Sequence, residues 1–230
     1  RNYGFRKVAL VSEIMNSGSN IIATIFTHKH PDHIGDIKEI MDIYDAPIWA
    51  AKETLDHLNI QENCKILTEG NEFKLRGLSG ISIWSIIETP GHCPGHICIN
   101  GESGIISGDN CVGVGTILVS SDEGDMREYI DGLERLEKMK PKMLFPGHGP
   151  LIANPMKLLN KYIKHRKNRT EKIIQAINKN KTYLDDISQF VYMDTPNANM
   201  TLAYDQILSH LNSLIRENKI KKIEDQYYLK

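Results

Sequence analysis

Apolar residues recur along this chain in two rhythms. Short β-branched runs stop abruptly at turns rich in glycine, proline and histidine, and longer stretches repeat apolar side chains every three or four residues. The first rhythm predicts strands over 21–26, 48–51, 81–87 and 104–109, a turn and strand over 69–75, and a further strand entering Phe145-Pro146-Gly147-His148. The second predicts helices over 7–15, 34–44, 52–58 and 122–139, and one long helix over 156–178. Beyond it come a helix to Tyr192 capped by Thr182, a helix over 198–218, and a hairpin formed by 219–223 and 226–229 around Glu224-Asp225.

Composition bounds the picture. The 230 residues are 40% hydrophobic and 25% charged, and no apolar run approaches the length of a membrane span. This describes a soluble globular chain with no membrane partner. The four cysteines (Cys64, Cys93, Cys98 and Cys111) form no C-x-x-C pair, and fit reduced thiols in a reducing intracellular compartment. Mitochondrion and cytoplasm are both open. Charge divides the chain near Pro155: residues 1–155 hold 14 basic and 21 acidic side chains, net −7, whereas 156–230 hold 14 and 8, net +6. An acidic domain, 1–155, followed by a basic one, 156–230, points to an anionic partner. On the 156–178 helix, Lys157, Lys161, Lys164 and Lys172 fall opposite the apolar stripe, and Arg166 falls inside it. A buried arginine needs a carboxylate or must reach an anion.

The chemistry is concentrated where strands end. His28, His30, Asp32 and His33 lie within six residues directly after the first strand. Imidazole and carboxylate together suit zinc and its borderline neighbours. Four such groups on one short loop cannot close on a single tetrahedral ion, so the spacing predicts two ions, each short of ligands. Three later strand ends offer more: His92 in Thr89-Pro90-Gly91-His92, Asp109 in Ser107-Gly108-Asp109, and His148 in Pro146-Gly147-His148.

The set T-H-x-H-x-D-H, P-G-H, S-G-D and P-G-H resembles the metallo-β-lactamase superfamily. The resemblance implies an αββα sandwich with a two-metal centre along one edge, here two Zn²⁺. It puts His28, His30 and His92 on one metal, Asp32, His33 and His148 on the other, and Asp109 between them. Asp109 would orient the attacking water and Asp32 would take its proton, which makes these two the catalytic carboxylates. His96 would donate a hydrogen bond that orients a ligand. Histidine at position 30 favours the hydrolytic branch over the di-iron flavoproteins. Asp109, where true β-lactamases carry cysteine, argues against antibiotic hydrolysis. Asp36 stands where relatives more often have glycine. Family members place several strands before the first metal loop, so the leading strands of the first sheet are expected to be missing here.

Further motifs narrow the resemblance. G-D-N-C-V-G-V-G-T, F-P-G-H-G-P and Y-I-K-H-R-K-N-R-x-E, followed by a winged-helix-like tail, resemble the beta-lactamase-like protein 2 family. That resemblance implies an endoribonuclease cleaving single-stranded RNA. His210, Asn212 and Arg216 would then lie on the helix that reads the nucleic acid. The alternatives are a thioesterase acting on a carrier-bound or small thioester, since Thr89 to Cys98 also matches glyoxalase II, and a non-catalytic RNA-binding protein.

Overall fold

The computed structural model describes residues 18–35, 37–77, 80–195 and 197–230. The helix expected over 7–15 and the departure at Asp36 lie outside them. Two sheets pack face to face. The smaller is parallel, in the order β1 (Thr24–Ile25), β2 (Ile48–Ala50), β3 (Cys64–Ile66). The larger runs β4 (Glu72–Gly77), β5 (Gly80–Glu88), β6 (Ile97–Gly101), β7 (Gly104–Gly108), β8 (Leu144–Pro146), antiparallel except for the final β7–β8 pair.

Side chains alternate across the larger sheet, as the pleat requires. Ile86, Ile97, Ile99 and Ile106 point inward to meet Ile25 and Trp49 of the smaller sheet. Their neighbours Ile87, Cys98 and Ile105 point the other way, onto α4 (Met126–Met139) and the first half of α5 (Pro155–Asn178). The outer face of the smaller sheet, through Phe26 and Ile48, is covered by α1 (Pro31–Ile34), α2 (Ile37–Tyr44) and α3 (Lys52–His57). Helix, sheet, sheet, helix is the expected αββα order.

A separate core lies beyond it. The second half of α5 (Ile173, Ala176, Ile177) packs on α6 (Leu184–Tyr192), α7 (Met200–Arg216) and the antiparallel hairpin β9 (Ile220–Ile223) and β10 (Gln226–Leu229). Helix α5 is thus shared by both cores. Among the described residues, no helix is long and apolar enough to cross a membrane.

Four local expectations are corrected. The helix expected over 34–44 is broken at Gly35, whose φ of 57° ends α1 before α2 begins. Thr182 does not cap α6: its hydroxyl donates to Gln226 and its carbonyl accepts from Tyr227, which ties the helix entry to β10. Arg166 is 4% exposed but has no carboxylate partner among the described residues; it donates to Gln206 Oε1 at 2.6 Å and to the Ile117 carbonyl. His210, Asn212 and Arg216 do not form one exposed reading face: His210 is buried against Thr170, Asn212 donates to the Ser121 carbonyl, and Arg216, half exposed, pairs with Asp125. His210 and Asn212 are spent on packing α7 against its neighbours, and Arg216 on its ion pair with Asp125.

Candidate metal centre

All seven predicted residues meet at one end of the sandwich. The loop after β1 carries His28 and His30, and one turn of helix begun by Pro31 delivers Asp32 and His33. His92, Asp109 and His148 arrive after β5, β7 and β8. Two glycines let these loops approach closely. A Cβ on Gly147 would lie 2.4 Å from His33 Cε1 and 2.8 Å from Asp109 Oδ1. One on Gly91 would lie 2.2 Å from the Tyr129 backbone nitrogen, where α4 runs past. That helix is fixed at its start by Asp125, whose side chain accepts from Arg127 N and Glu128 N while its own N–H donates to Gly91.

The hydrogen bonds determine where the imidazole lone pairs point. His92 Nδ1 lies 2.9 Å from the Leu118 carbonyl, which can only accept, so the proton sits on Nδ1. His30 Nε2 lies 2.6 Å from Glu123 Oε1. Burial raises Glu123, but hydrogen bonds and charge from Lys29 and His30 outweigh it and hold the carboxyl below its ordinary range, so it too accepts. The remaining nitrogens, His30 Nδ1 and His92 Nε2, face each other at 3.0 Å. His28 Nε2 is buried beside them without a hydrogen-bond partner. Burial, followed by the neighbouring imidazoles, keeps His28 far below its ordinary range, and burial lowers His92 as well; both are neutral at pH 7. Three lone pairs converging without a donor fit a cation.

The second cluster adjoins the first. His33 Nε2 and His148 Nε2 are 3.0 Å apart, and Asp32 Oδ2 lies 3.1 Å from His148 Nε2. Asp109 reaches both clusters, with Oδ1 3.3 Å from His33 and Oδ2 3.6 Å from His148 and 3.9 Å from His92. Its Oδ1 is buried without a well-aligned hydrogen bond. Burial pushes Asp109 up, but the His33 ring and the surrounding histidines outweigh it and hold the carboxylate ionised. An orphaned carboxylate oxygen beside facing imidazoles fits a second ion, so the donor set suits the two metals expected from the sequence. The Asp32 and His148 side chains are 60% and 47% exposed, so the centre opens to solvent on that side.

The structure also brings in groups that sequence spacing does not reveal. Glu123 holds His30 and forms a 2.7 Å ion pair with Lys29, yet it comes from a charged run just before α4. Cys93 lies within reach of His28, His30 and His92, but burial pushes its thiol up to about 12. His96 plays the opposite part to the one expected. Its Nε2 accepts from the Asp109 backbone N–H at 3.1 Å, and Nδ1 faces Thr89 Oγ1 at 2.9 Å. Burial lowers its pKa to about 3, which keeps that acceptor available and fixes the turn carrying Asp109.

Known proteins resemble this chain to differing extents. A Drosophila melanogaster protein named beta-lactamase-like protein 2 homolog is 27% identical over 240 residues, covering 96% of this chain and 79% of its own. An Aspergillus fumigatus protein named atrochrysone carboxyl ACP thioesterase is 24% identical over 159 residues, covering 68% of this chain and 47% of its own. The solved structure of a metallo-beta-lactamase family protein from Thermus thermophilus shares the fold, with a TM-score of 0.72 at 17% identity over 97% of this chain and 86% of that one. The family model for the metallo-beta-lactamase superfamily matches residues 16–148, a span that takes in every one of the seven converging side chains, and the chain belongs to that superfamily.

Proposed function

We propose that this chain is a metal-dependent hydrolase that cuts single-stranded RNA. His28, His30 and His92 would hold one ion, Asp32, His33 and His148 a second, with Asp109 between them. Bound there, zinc-like ions supply a water that is nucleophilic at neutral pH and stabilise negative charge as it develops on oxygen. Asp109, ionised and reaching both clusters, would orient that water towards the phosphodiester. Asp32 Oδ2, on the solvent side, takes the proton that the water gives up. Glu123 and the Leu118 carbonyl hold the rings of His30 and His92 in the tautomers that leave their inner nitrogens free.

The observation that carries the RNA reading is the outer face of α5. Lys157, Lys161 and Lys164 are exposed there, and none has a carboxylate partner among the described residues. Lys167 and Lys172, by contrast, pair with Glu134 and Asp194. Lysines that neutralise nothing within the chain are free to meet phosphates. We read the C-terminal unit as winged-helix-like, gripping RNA through α5 rather than α7. The likeness to a protein named as an ACP thioesterase supports a second reading, attack on a thioester carbonyl at the same centre.

One experiment separates them. The zinc-loaded chain is incubated with a labelled single-stranded RNA and, in parallel, with a short acyl thioester. Chelator-sensitive RNA cleavage is expected; thioester turnover with RNA left intact would overturn the nuclease reading.

A further inference from the structure

Arg166 and Arg169 raise a problem of charge that the fold does not solve. Arg166 is buried, yet its hydrogen bonds go to a neutral amide and a carbonyl. Arg169 donates to the Val191 carbonyl at 2.8 Å and lies 4.0 Å over the Tyr192 ring. Neither forms an ion pair among the described residues. Both line a groove of about 300 Å³ between α5, the loop at 116–118 and the elbow joining α6 to α7. No described residue lining that groove is acidic. The N-terminus of α7 opens onto it through Asn199 and Leu202, with no acidic residue in the first turn. A helix start adds further positive potential.

The uncompensated charge is felt nearby. Burial, then Arg166, Arg169 and Lys161, lowers His165 to about 4, despite an opposing pull from Asp194. The guanidinium groups therefore carry the groove's charge at neutral pH. The groove also adjoins the metal centre: the Leu118 side chain forms part of its wall, and the Leu118 carbonyl holds His92 Nδ1 at 2.9 Å.

We propose that this groove is a phosphate subsite, in which Arg166 and Arg169 hold a phosphodiester of the RNA strand flanking the one at the metal centre. The assignment rests on the nuclease reading above for the identity of the strand. Guanidinium forks match phosphate oxygens in pairs, which suits two arginines better than it suits an unsupported buried charge. Leu118 and Leu202, 40% and 50% exposed, together with Tyr192, give the flanking base an apolar and aromatic wall. Along α5, Lys157, Lys161, His165 and Arg169 follow at four-residue spacing, so the subsite continues the lysine row along the helix.

The test uses the full chain with chelator present, so that no strand is cut. Binding of a fluorescein-labelled ten-nucleotide oligouridylate is followed by anisotropy at several salt concentrations, for wild type, Arg169→Glu and Arg169→Gln. Both substitutions are expected to weaken binding, Arg169→Glu by tenfold or more. The log–log salt slope should become shallower by about 0.7 for the lost contact. Lys138→Glu, the same charge reversal on the exposed face of α4, should leave affinity unchanged. Inorganic pyrophosphate should compete with the oligonucleotide and raise the melting temperature of wild type more than that of Arg169→Gln, which also verifies that the variant folds. Equal oligonucleotide affinity in wild type and both variants, with no pyrophosphate effect, would overturn the subsite. A rise in melting temperature with coenzyme A that is lost in Arg169→Gln, with no oligonucleotide binding at all, would overturn RNA as its occupant. If the variants behave as expected but the zinc-loaded wild type leaves RNA intact, the nuclease reading fails while the phosphate subsite stands.

Discussion

At the scale of single residues, the centre is defined less by which side chains are present than by where their protons sit. His30 Nδ1 and His92 Nε2 face each other only because Glu123 and the Leu118 carbonyl occupy the opposite nitrogens. Replacing Glu123 with glutamine removes the carboxylate that fixes this ring and should weaken metal binding by about 10–100-fold. Competition against a metal-binding dye measures this, and unchanged affinity would mean that the Glu123 bond is incidental. Elemental analysis of the wild type should find close to two transition-metal ions per chain. Asp109→Ala should lower that occupancy and abolish activity, since the carboxylate faces both clusters. Near-normal rates in that variant would refute its position between the metals. The seven side chains are legible in the sequence because each group follows a strand and the three later ones, His92, Asp109 and His148, adjoin glycine. Glu123 is not, because a carboxylate in the run Asp122-Glu123-Gly124-Asp125 looks like ordinary helix-start charge. The Leu118 carbonyl is invisible in principle: a backbone acceptor leaves no trace in residue identity.

At the scale of elements, periodicity locates most strands and helices but misses the three-residue β3 and the junctions between elements. Spacing alone joins 34–44 into one helix, because the positive φ at Gly35 breaks the chain without disturbing the apolar repeat. Arg166 does lie inside the apolar stripe, but its neutral partners come from α7 and the 117 loop, far away in sequence. The packing of α7 leads to a pH dependence. Burial, then the charges of Arg166, Arg169 and His165, holds His210 well below its ordinary value. The unfolded chain, with an ordinary histidine pKa of about 6.5, therefore binds a proton that the native state refuses. The stability contributed by neutral His210 is complete above that value and is lost as pH falls towards the lower native pKa. Urea midpoints at pH 7.5, 6 and 5 should decline in that order, and less steeply in His210→Gln. Equal slopes would show that His210 does not contribute. At the start of α4, Asp125→Ala should cost about 1 kcal/mol for the lost cap, plus whatever unpairing Arg216 adds.

At the scale of the whole molecule, the division of charge seen in the sequence becomes a division of labour along α5. The lysines without partners lie on its outer face, and the same helix buries Leu159 and Tyr162 in the sandwich core. Reversing Lys157, Lys161 and Lys164 to glutamate together should weaken RNA binding by tens of fold at low salt and flatten its salt dependence. Affinity measured at two or three salt concentrations tests this. Equal affinities and slopes would reduce the row to a solvated face. Thioester turnover should be indifferent to the change in either case.

Tyr162 gives this architecture a thermodynamic consequence. Its hydroxyl lies within hydrogen-bonding distance of the carbonyls of Val112 and Gly115, in the loop that leaves Asp109, while its helix continues into the second core. An ion that immobilises Asp109 therefore restrains a loop already clamped to α5. Ligation free energy at one end of the molecule is then shared with amides at the other. Hydrogen exchange in the last turns of α5, from Ile173 onward, and in the Tyr227 amide bonded to Thr182, should slow on adding zinc, although these groups belong to the second core and not to the metal cluster. The far core would act as a reporter of occupancy.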